Sequence, residues 1–250
     1  MEQTRKKFLK NLFIGATSIQ LLIEACKKAD SISDINSSTT SGSGTGSSGT
    51  CTIAPTETAG PFPTTTPSSL VRSDIRDDRT GVAFTITINV QNINNSCAAL
   101  AGVIVDIWHC DKDGYYSEYG GSGMQSTDYT SVHFLRGRQT TDANGQVRFT
   151  SIFPGWYSGR ATHIHVHIYN SSGTSLMITQ IAFPEGSNSA VATVNGSGGV
   201  AYGYTKGMSG YTYNASDNVF SDDGSGIEIA TVTASLSSGY TLAKTISVAA

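Results

Sequence analysis

The sequence predicts an all-β domain, an antiparallel β-sandwich with long irregular loops, and three observations support this prediction. The 250 residues include 27 glycines and many serines and threonines, a composition that favours strands joined by turns over a helical bundle. Several segments alternate apolar and polar residues or contain β-branched runs. Beyond the N-terminal stretch, no long segment places apolar residues at helical spacing.

Strand-like segments recur along the chain and turn residues separate them. Between two of them, Asn144-Gly145 predicts a tight hairpin turn, because both residue types accept positive φ angles. Two irregular stretches, 111–138 and 185–223, are long enough for functional loops to be expected there. The segments with the length and pattern of strands are 82–91, 103–108, 146–149, 163–169, 176–183, 227–234 and 240–248.

The N-terminal segment has the order of an export signal. Basic residues between positions 5 and 10 precede an apolar stretch that is too short to span a bilayer stably. This order predicts a signal peptide over 1–25, with a buried first helix as the alternative. The motif at Arg5 resembles a twin-arginine signal, and residues 23–26 resemble a lipobox that ends on Cys26. We therefore expect an exported protein, periplasmic or at the cell surface, with Cys26 as the candidate lipidation site and a plain secretory signal as the alternative.

A linker and a single domain of ordinary size follow the signal. Residues 37–50 contain only Ser, Thr and Gly, so a flexible linker is expected over 26–50 and the domain over 51–250. Lys and Arg total 16 against 19 Asp and Glu, a net charge of -3 that argues against a nucleic-acid partner. Contact with a membrane is expected only through the lipid anchor, and the oligomeric state is left open.

The domain contains three cysteines, an odd number for an oxidising compartment. One disulfide and one remaining thiol is the simplest expectation. We expect Cys97 to pair with Cys110, because the two flank an apolar run, 100–108, that can form a strand returning beside Cys97. Spacing alone leaves the partner of Cys51 open, and a metal-thiolate site is the alternative.

One predicted strand carries a pattern typical of metal ligands. His163, His165 and His167 lie on one face of the strand, and two imidazoles at alternate positions can bind one ion side by side. The alternative is an exposed polar face. Tyr116 and Tyr157 can supply phenolates, but a phenol with a pKa near 10 becomes a ligand at neutral pH only beside a strong Lewis acid. The set therefore favours ferric iron over zinc.

The order of several short motifs across the domain is specific to one family. The sequence resembles the intradiol ring-cleavage dioxygenases, in particular their secreted bacterial and fungal members. The resemblance implies the all-β sandwich of that family, with long active-site loops. The motifs that carry it are Thr58-Ala59-Gly60-Pro61-Phe62, Leu70-Val71-Arg72, Val105-Asp106-Ile107-Trp108-His109-Cys110-Asp111 with Tyr116-Ser117, Phe134-Leu135-Arg136-Gly137, Pro154-Gly155-Trp156-Tyr157 through His165, and Thr179-Gln180.

The resemblance also implies a cofactor and its ligands. The ligands of a non-haem Fe(III) ion fall on Tyr116, Tyr157, His163 and His165, with a hydroxide as the fifth. Tyr157 is in addition implied as a catalytic residue, which leaves the metal when substrate binds and accepts a proton from it.

Further residues receive roles from the same resemblance. Arg160 and Gln180 correspond to catalytic and substrate-binding positions, with Arg160 facing the substrate ring. Trp108 is expected to form a wall of the substrate pocket. His167 has no ligand role in the family and is assigned to the surroundings of the site or to the surface. Ala59 stands where the family usually has Glu, which bears on substrate preference more than on iron.

The expected activity is the cleavage of catecholic small molecules with O2 to cis,cis-muconate type diacids. Two other classes remain open at this stage. One is a zinc hydrolase or lyase that uses His163, His165 and His167 with a bound water. The other is a non-catalytic, transthyretin-like binding module. Colour separates them, because charge transfer from tyrosinate to iron makes a ferric protein red-brown.

Overall fold

The computed structural model describes residues 51–121 and 123–250. The expected signal peptide over 1–25, the linker over 26–50 and the lipidation site Cys26 lie outside the described residues. Among the helices of the described part, none has the length and apolar character needed to cross a membrane.

Strands dominate the described part of the chain, and the predicted all-β fold is confirmed. Within those residues the chain forms nine strands and one short α-helix. In chain order they are β1 (Ala83–Asn92), β2 (Ala98–Ala99), β3 (Ile104–Trp108), β4 (Arg136–Thr140), β5 (Gln146–Ile152), β6 (His163–Tyr169), β7 (Ser175–Ala182), α1 (Ala190–Val194), β8 (Thr231–Ser235) and β9 (Gly239–Val248).

The strands form two sheets around one apolar core. One sheet has the order β2-β1-β9-β8, with β5 also paired to β1, and the other has the order β4-β3-β6-β7. Alternate residues of β1 and β6 are buried in the same apolar cluster, as Ile86 and Ile164 show at 0% exposure. Period-two burial on both sheets is the reason that the alternating segments of the sequence fold as a sandwich.

One strand pairing differs from the antiparallel expectation. β1 and β9 run parallel, with partners from Phe84 opposite Tyr240 to Asn92 opposite Val248. Alternation of residue types does not encode strand direction, and almost the whole domain separates these two strands, so no hairpin fixes their orientation.

The Asn144-Gly145 turn also departs from its prediction. Gly145 has a φ of 70°, and its N–H donates to the Asp142 carbonyl at 2.9 Å, so the chain does turn tightly. The strands on either side do not form a hairpin, however, because β4 pairs with β3 and β5 pairs with β1. The turn therefore carries the chain from one sheet to the other.

The disulfide expectation is wrong. Cys51 is bonded to Cys97, and Cys110 is a buried free thiol. The run 100–108 leads away from Cys97 along β3 rather than back to it, so Cys97 and Cys110 lie at opposite ends of that strand. The bridge instead attaches the first described residue of the domain to the segment between β1 and β2.

Candidate metal centre

Strand β6 sets two histidines side by side. His163 and His165 share one face of the strand and are 2% and 1% exposed, while Ile164 and Val166 pack into the core from the other face. β6 lies between β3 and β7, so the positions of both imidazoles are fixed by hydrogen-bonded strands on either side.

Three side-chain atoms converge at this face. Tyr116 Oη lies 3.0 Å from His163 Nε2 and 3.4 Å from His165 Nε2, and the two Nε2 atoms are 3.0 Å apart. A transition-metal ion bonded at about 2.0–2.1 Å to such ligands keeps neighbouring ligand atoms roughly 2.9–3.4 Å apart. The spacing and the donor set of two imidazoles and a phenol therefore fit a metal ion, and three of the four expected ligands are together.

The protonation of His163 suits a ligand role. Its Nδ1 donates to the Ala161 carbonyl at 2.6 Å, so a neutral ring presents the lone pair of Nε2 to the cluster. Burial lowers the pKa of His163 to about 3 and holds that of His165 well below its usual range. Both rings are therefore neutral at physiological pH.

Packing orients His165. The indole of Trp108 stacks on its ring with centroids 4.9 Å apart and planes 2° apart. On another side lies Gly60, whose φ is +69° and where a Cβ would come within 2.8 Å of His165 Cε1. Trp108 is only 2% exposed and packs against the His165 ring. It is not among the residues that line the cavity at this site, so its expected place as a wall of the substrate pocket is corrected.

Tyr116 is held by its backbone and by its ring. The Gln125 side chain accepts from the Tyr116 N–H at 2.7 Å and donates to the Tyr116 carbonyl at 2.8 Å. The ring stacks on Phe62 with centroids 4.8 Å apart. Burial raises the pKa of Tyr116 well above 10, so its phenolate form requires a neighbouring cation. Sequence reasoning missed Gln125, since a lone glutamine in an irregular loop gives no pattern.

A buried arginine joins the loops that carry Tyr116 and Phe62. Arg136 is 0% exposed. Its Nε donates to Ser117 Oγ at 2.9 Å, and Nη1 donates to the Phe62 carbonyl at 2.9 Å. Arg136 begins β4, a strand that the sequence did not predict because its residues lack alternating apolar positions.

Tyr157, the fourth expected ligand, lies on the rim of the same site. Its ring is 6.1 Å from that of Tyr116 and 5.3 Å from that of Phe62. Its hydroxyl donates to the Met124 carbonyl at 3.2 Å, away from the three clustered atoms. The two tyrosines thus differ, since Tyr116 is buried and fixed whereas Tyr157 is half-buried.

Arg160 is held by two side chains. Its Nε donates to Asp217 Oδ2 at 2.9 Å, and Nη2 donates to Gln180 Oε1 at 2.7 Å. Gln180 in turn donates to the Thr58 carbonyl at 2.8 Å. Because Gln180 is 1% exposed and does not line the cavity, it orients Arg160 rather than facing substrate, which corrects its expected contact role.

Asp217 is a residue of the candidate site that the sequence did not indicate. It is 0% exposed and also accepts the Ala161 N–H at 2.7 Å. Burial opposes its charge, but hydrogen bonds from Arg160 and from the backbone lower its pKa, so the carboxylate is ionised. No local pattern marks it, because it reaches the site from the long 185–223 loop.

The residues of the metal centre and Arg160 border a cavity of about 440 Å³. Its lining includes Tyr116, Tyr157, Arg160, His163 and His165. A cavity of this size accommodates a small aromatic molecule.

His167 does not join the cluster. Its Nε2 is 2.8 Å from Ser175 Oγ, and its Nδ1 is 2.8 Å from Tyr169 Oη. Within residues 51–121 and 123–250, no group of three or more His, Cys, Asp or Glu side chains is placed to hold a metal. The alternative zinc site of His163, His165 and His167 is therefore wrong, and the assignment of His167 outside the ligand set agrees with its contacts.

Sequence comparison relates the chain to dioxygenases. A family model described as Dioxygenase matches residues 60–196, more than half of the 250-residue chain. Chlorocatechol 1,2-dioxygenase from Rhodococcus opacus is 27% identical in an alignment 128 residues long that covers 44% of this chain and 46% of that protein. The chain thus matches about half the length of this curated relative.

Solved structures give the same relation over a larger part of the domain. An intradiol ring-cleavage dioxygenase from Tetranychus urticae superposes with a TM-score of 0.66 and 28% identity, covering 80% of this chain and 95% of that one. The dioxygenase domain of a carbohydrate-binding fusion from Streptomyces sp. SirexAA-E shares the fold, with a TM-score of 0.54, 23% identity and coverage of 79% and 99%. The chain belongs to the intradiol ring-cleavage dioxygenase family.

Proposed function

We propose that this chain is a non-haem Fe(III)-dependent dioxygenase that cleaves catechols between their hydroxyl groups with O2, giving cis,cis-muconate type diacids. The observation that carries the proposal is the convergence of Tyr116 Oη, His163 Nε2 and His165 Nε2 within 3.4 Å of one another. Tyr157 and Arg160 border the same cavity, so the groups expected for this chemistry lie within reach of one bound ring.

In this proposal Tyr116, Tyr157, His163 and His165 hold the ion. Ferric iron supplies a Lewis acid that activates a bound catecholate towards O2. A hard trivalent ion suits phenolate oxygen better than zinc does, and it provides the positive charge that the buried Tyr116 needs in order to ionise. The neutral imidazoles of His163 and His165 complete the donor set without adding charge.

Tyr157 accepts a proton from the substrate in this proposal. Its hydroxyl lies on the half-buried rim and is bonded to a backbone carbonyl rather than to the other ligands. In the phenolate form that a bound ferric ion would favour, Tyr157 Oη would accept a proton from a catechol hydroxyl that enters the cavity. The buried Tyr116 keeps its position throughout, because Gln125 and Phe62 hold it.

Arg160 stabilises negative charge. Its guanidinium lines the cavity and is oriented by Asp217 and Gln180 before substrate arrives. Such a fixed cation lowers the energy of an anionic ring during its attack on O2, and no reorganisation is needed at that moment. Phe62 and Pro61 add apolar surface that displaces water from the ring.

The test combines colour, metal content and oxygen uptake. Protein loaded with Fe(III) should be red-brown, consume O2 with catechol, protocatechuate, hydroxyquinol or caffeate, and release a product with a muconate spectrum. Zinc-loaded protein is the matched control and should be colourless and inactive. Binding of catechol without O2 uptake would support the transthyretin-like binding module instead.

We further propose that residues 51–250 form the catalytic domain of an exported protein attached through Cys26. The support is the order of basic residues, short apolar stretch and lipobox-like motif in the sequence. Full-length protein expressed with a labelled fatty acid should carry the label, and Cys26→Ala should not. An unlabelled wild type with an intact N-terminus would contradict both the cleavage and the anchor.

A further inference from the structure

A second cavity lies beside the first. Its volume is about 500 Å³, and it shares Met124, Tyr157 and Ser158 with the cavity at the metal centre. The two spaces are therefore separated by one wall, part of which is the hydrogen bond from the Tyr157 hydroxyl to the Met124 carbonyl. A ligand longer than a single ring would reach from one cavity into the other if it displaced this hydrogen bond.

The charge available in the second cavity is positive. Lys206 Nζ donates to the Trp156 carbonyl at 2.7 Å and lies 3.8 Å from the centre of the Trp156 ring. Among the ion pairs of the described residues, none involves Lys206. Asp113 also lines this cavity, but its carboxylate is paired with Lys112 at 2.7 Å. The charges of Asp111 and Asp113 act on Lys206, but Asp111 is itself paired with Arg79 at 3.4 Å and Asp113 with Lys112, so the ammonium can still attract an anion.

The loop that leads to Tyr116 leaves room for this ammonium at Gly114. At Gly114, whose φ is +91°, a Cβ would lie 2.8 Å from Lys206 Nζ, so a side chain there would displace the lysine. Three residues with hydroxyl side chains, Ser126, Ser158 and Thr205, line the same cavity. These donors and the ammonium suit an ionised, oxygen-rich group, in contrast to the aromatic surface of the first cavity.

We propose that the second cavity binds the carboxylate at the end of a side chain on a catechol whose ring occupies the first cavity. The inference rests on the proposed function and narrows it to a substrate class, catechols that carry a flexible carboxylate-ended side chain. Lys206 pairs with the carboxylate, and the side chain of the substrate passes between Met124 and Tyr157 in place of the hydrogen bond that joins them.

Equilibrium binding without O2 tests the proposal separately from turnover. Iron-loaded wild-type protein is titrated with dihydrocaffeate and with its carboxamide, which has the same shape without the charge. We expect the acid to bind about fivefold more tightly than the amide, the scale of a partly exposed ion pair. Lys206→Met should abolish this preference, whereas the control Arg148→Met, at an exposed position of β5 outside both cavities, should retain it.

Charge reversal excludes a merely structural effect of Lys206. Lys206→Glu should bind dopamine, whose side chain ends in an ammonium, more tightly than dihydrocaffeate, which reverses the order expected for the wild type. Loss of packing around Trp156 would weaken both ligands alike, and that result would overturn the proposal. Equal affinity of the wild type for acid and amide would also overturn it.

Failure of this inference is distinguishable from failure of the proposed function. If wild-type protein binds and cleaves catechol but has no preference for the acid, the second cavity has no role in substrate binding and the dioxygenase activity stands. If no catechol is bound or cleaved, the proposed function itself fails.

Discussion

The metal centre and the surroundings of Glu228 both bury polar side chains, and the two regions differ in how the polar atoms of those side chains are arranged. At the metal centre, Tyr116, His163 and His165 bring three atoms within 3.4 Å of one another. Beside β7, Glu228 is 2% exposed and neither of its carboxyl oxygens forms a hydrogen bond within the described residues. At the metal centre a phenol oxygen and two imidazole nitrogens converge on one point, whereas the second region buries the single carboxyl group of Glu228.

The surroundings of Glu228 explain the difference. Burial raises its pKa to about 8, and the charges of Glu57, Asp223 and Asp222 add to the effect. The charge of Lys244 opposes this rise but is the smallest of these effects, and its ammonium donates to the Ile227 and Ile229 carbonyls rather than to the carboxyl. Burial of a polar group therefore marks a ligand site only where several groups converge, and elsewhere it marks a position where the fold is strained by like charges.

Tyr116→Phe should give the largest effect, because it removes a converging atom. We expect the affinity for Fe(III) to fall by at least about 100-fold, beyond the typical loss for residues that merely surround a metal. Tyr157→Phe, on the rim, should retain iron but show a weaker visible band and slower catechol turnover. Iron content after dialysis against a chelator and the visible spectrum check both variants. Wild-type iron retention by Tyr116→Phe would show that convergence at this point does not identify the metal site.

Arg160→Ala should slow ring opening by roughly 100-fold to 1000-fold while the catechol complex still forms. The reason is that the guanidinium stabilises charge that develops only during reaction. Anaerobic titration followed by a single turnover with O2 separates binding from chemistry. The exposed Arg148 on β5 provides the control Arg148→Ala, which should react at the wild-type rate. Equal rates for Arg160→Ala and this control would assign charge stabilisation to another group.

The sequence predicted the parts of the molecule that depend on local pattern. Alternation in β6 predicted that His163 and His165 share a face, since period two is a property of any strand. The family motifs indicated Tyr116 although it lies in an irregular loop. Strand direction in the β1 and β9 pair, and the Cys51 partner of Cys97, depend instead on how distant segments meet.

The residues that hold the site were the least predictable from sequence. Gln125 and Asp217 act through single contacts made by long loops, with no repeat or motif around them. Gln180 was indicated by its motif, but its hydrogen bond with Arg160 also depends on where the loop before β6 places that arginine. Trp108 was likewise expected near the site, but as a wall of the substrate pocket. It stacks on His165 instead, because the sequence does not reveal which side of that ring it covers.

Gln125→Ala should weaken iron binding about 10-fold, a smaller effect than loss of a ligand. The variant removes both hydrogen bonds to the Tyr116 backbone and leaves the phenol itself intact. Competition with a chelator measures the change, and Gln139→Ala on β4 is the control. If Gln125→Ala binds iron as the wild type does, the stacking of Phe62 on Tyr116 suffices to hold the ligand.

Glu228→Gln should leave iron binding and turnover unchanged and instead give a gain in stability that grows with pH. The folded-state pKa of Glu228, about 8, exceeds its ordinary value of 4.5, so the fold favours the protonated carboxyl. The stability that depends on this proton is fully present below about pH 4.5 and is lost as the pH rises through 8. Glutamine cannot ionise and therefore escapes the loss.

Thermal unfolding of Glu228→Gln and wild type between pH 5 and pH 8.5 checks this sign. The Tm of the variant relative to wild type should rise by about 5 °C across the range, the effect of roughly 2 kcal/mol in a domain of this size. Asp78→Asn is the control, because Asp78 is exposed and its hydrogen bond from Arg79 lowers its pKa, so no gain with pH is expected. A Tm difference between Glu228→Gln and wild type that stays constant with pH would mean that Glu228 is ionised and has a compensating partner. Glu228 would then no longer serve as the isolated buried group that contrasts with the metal centre.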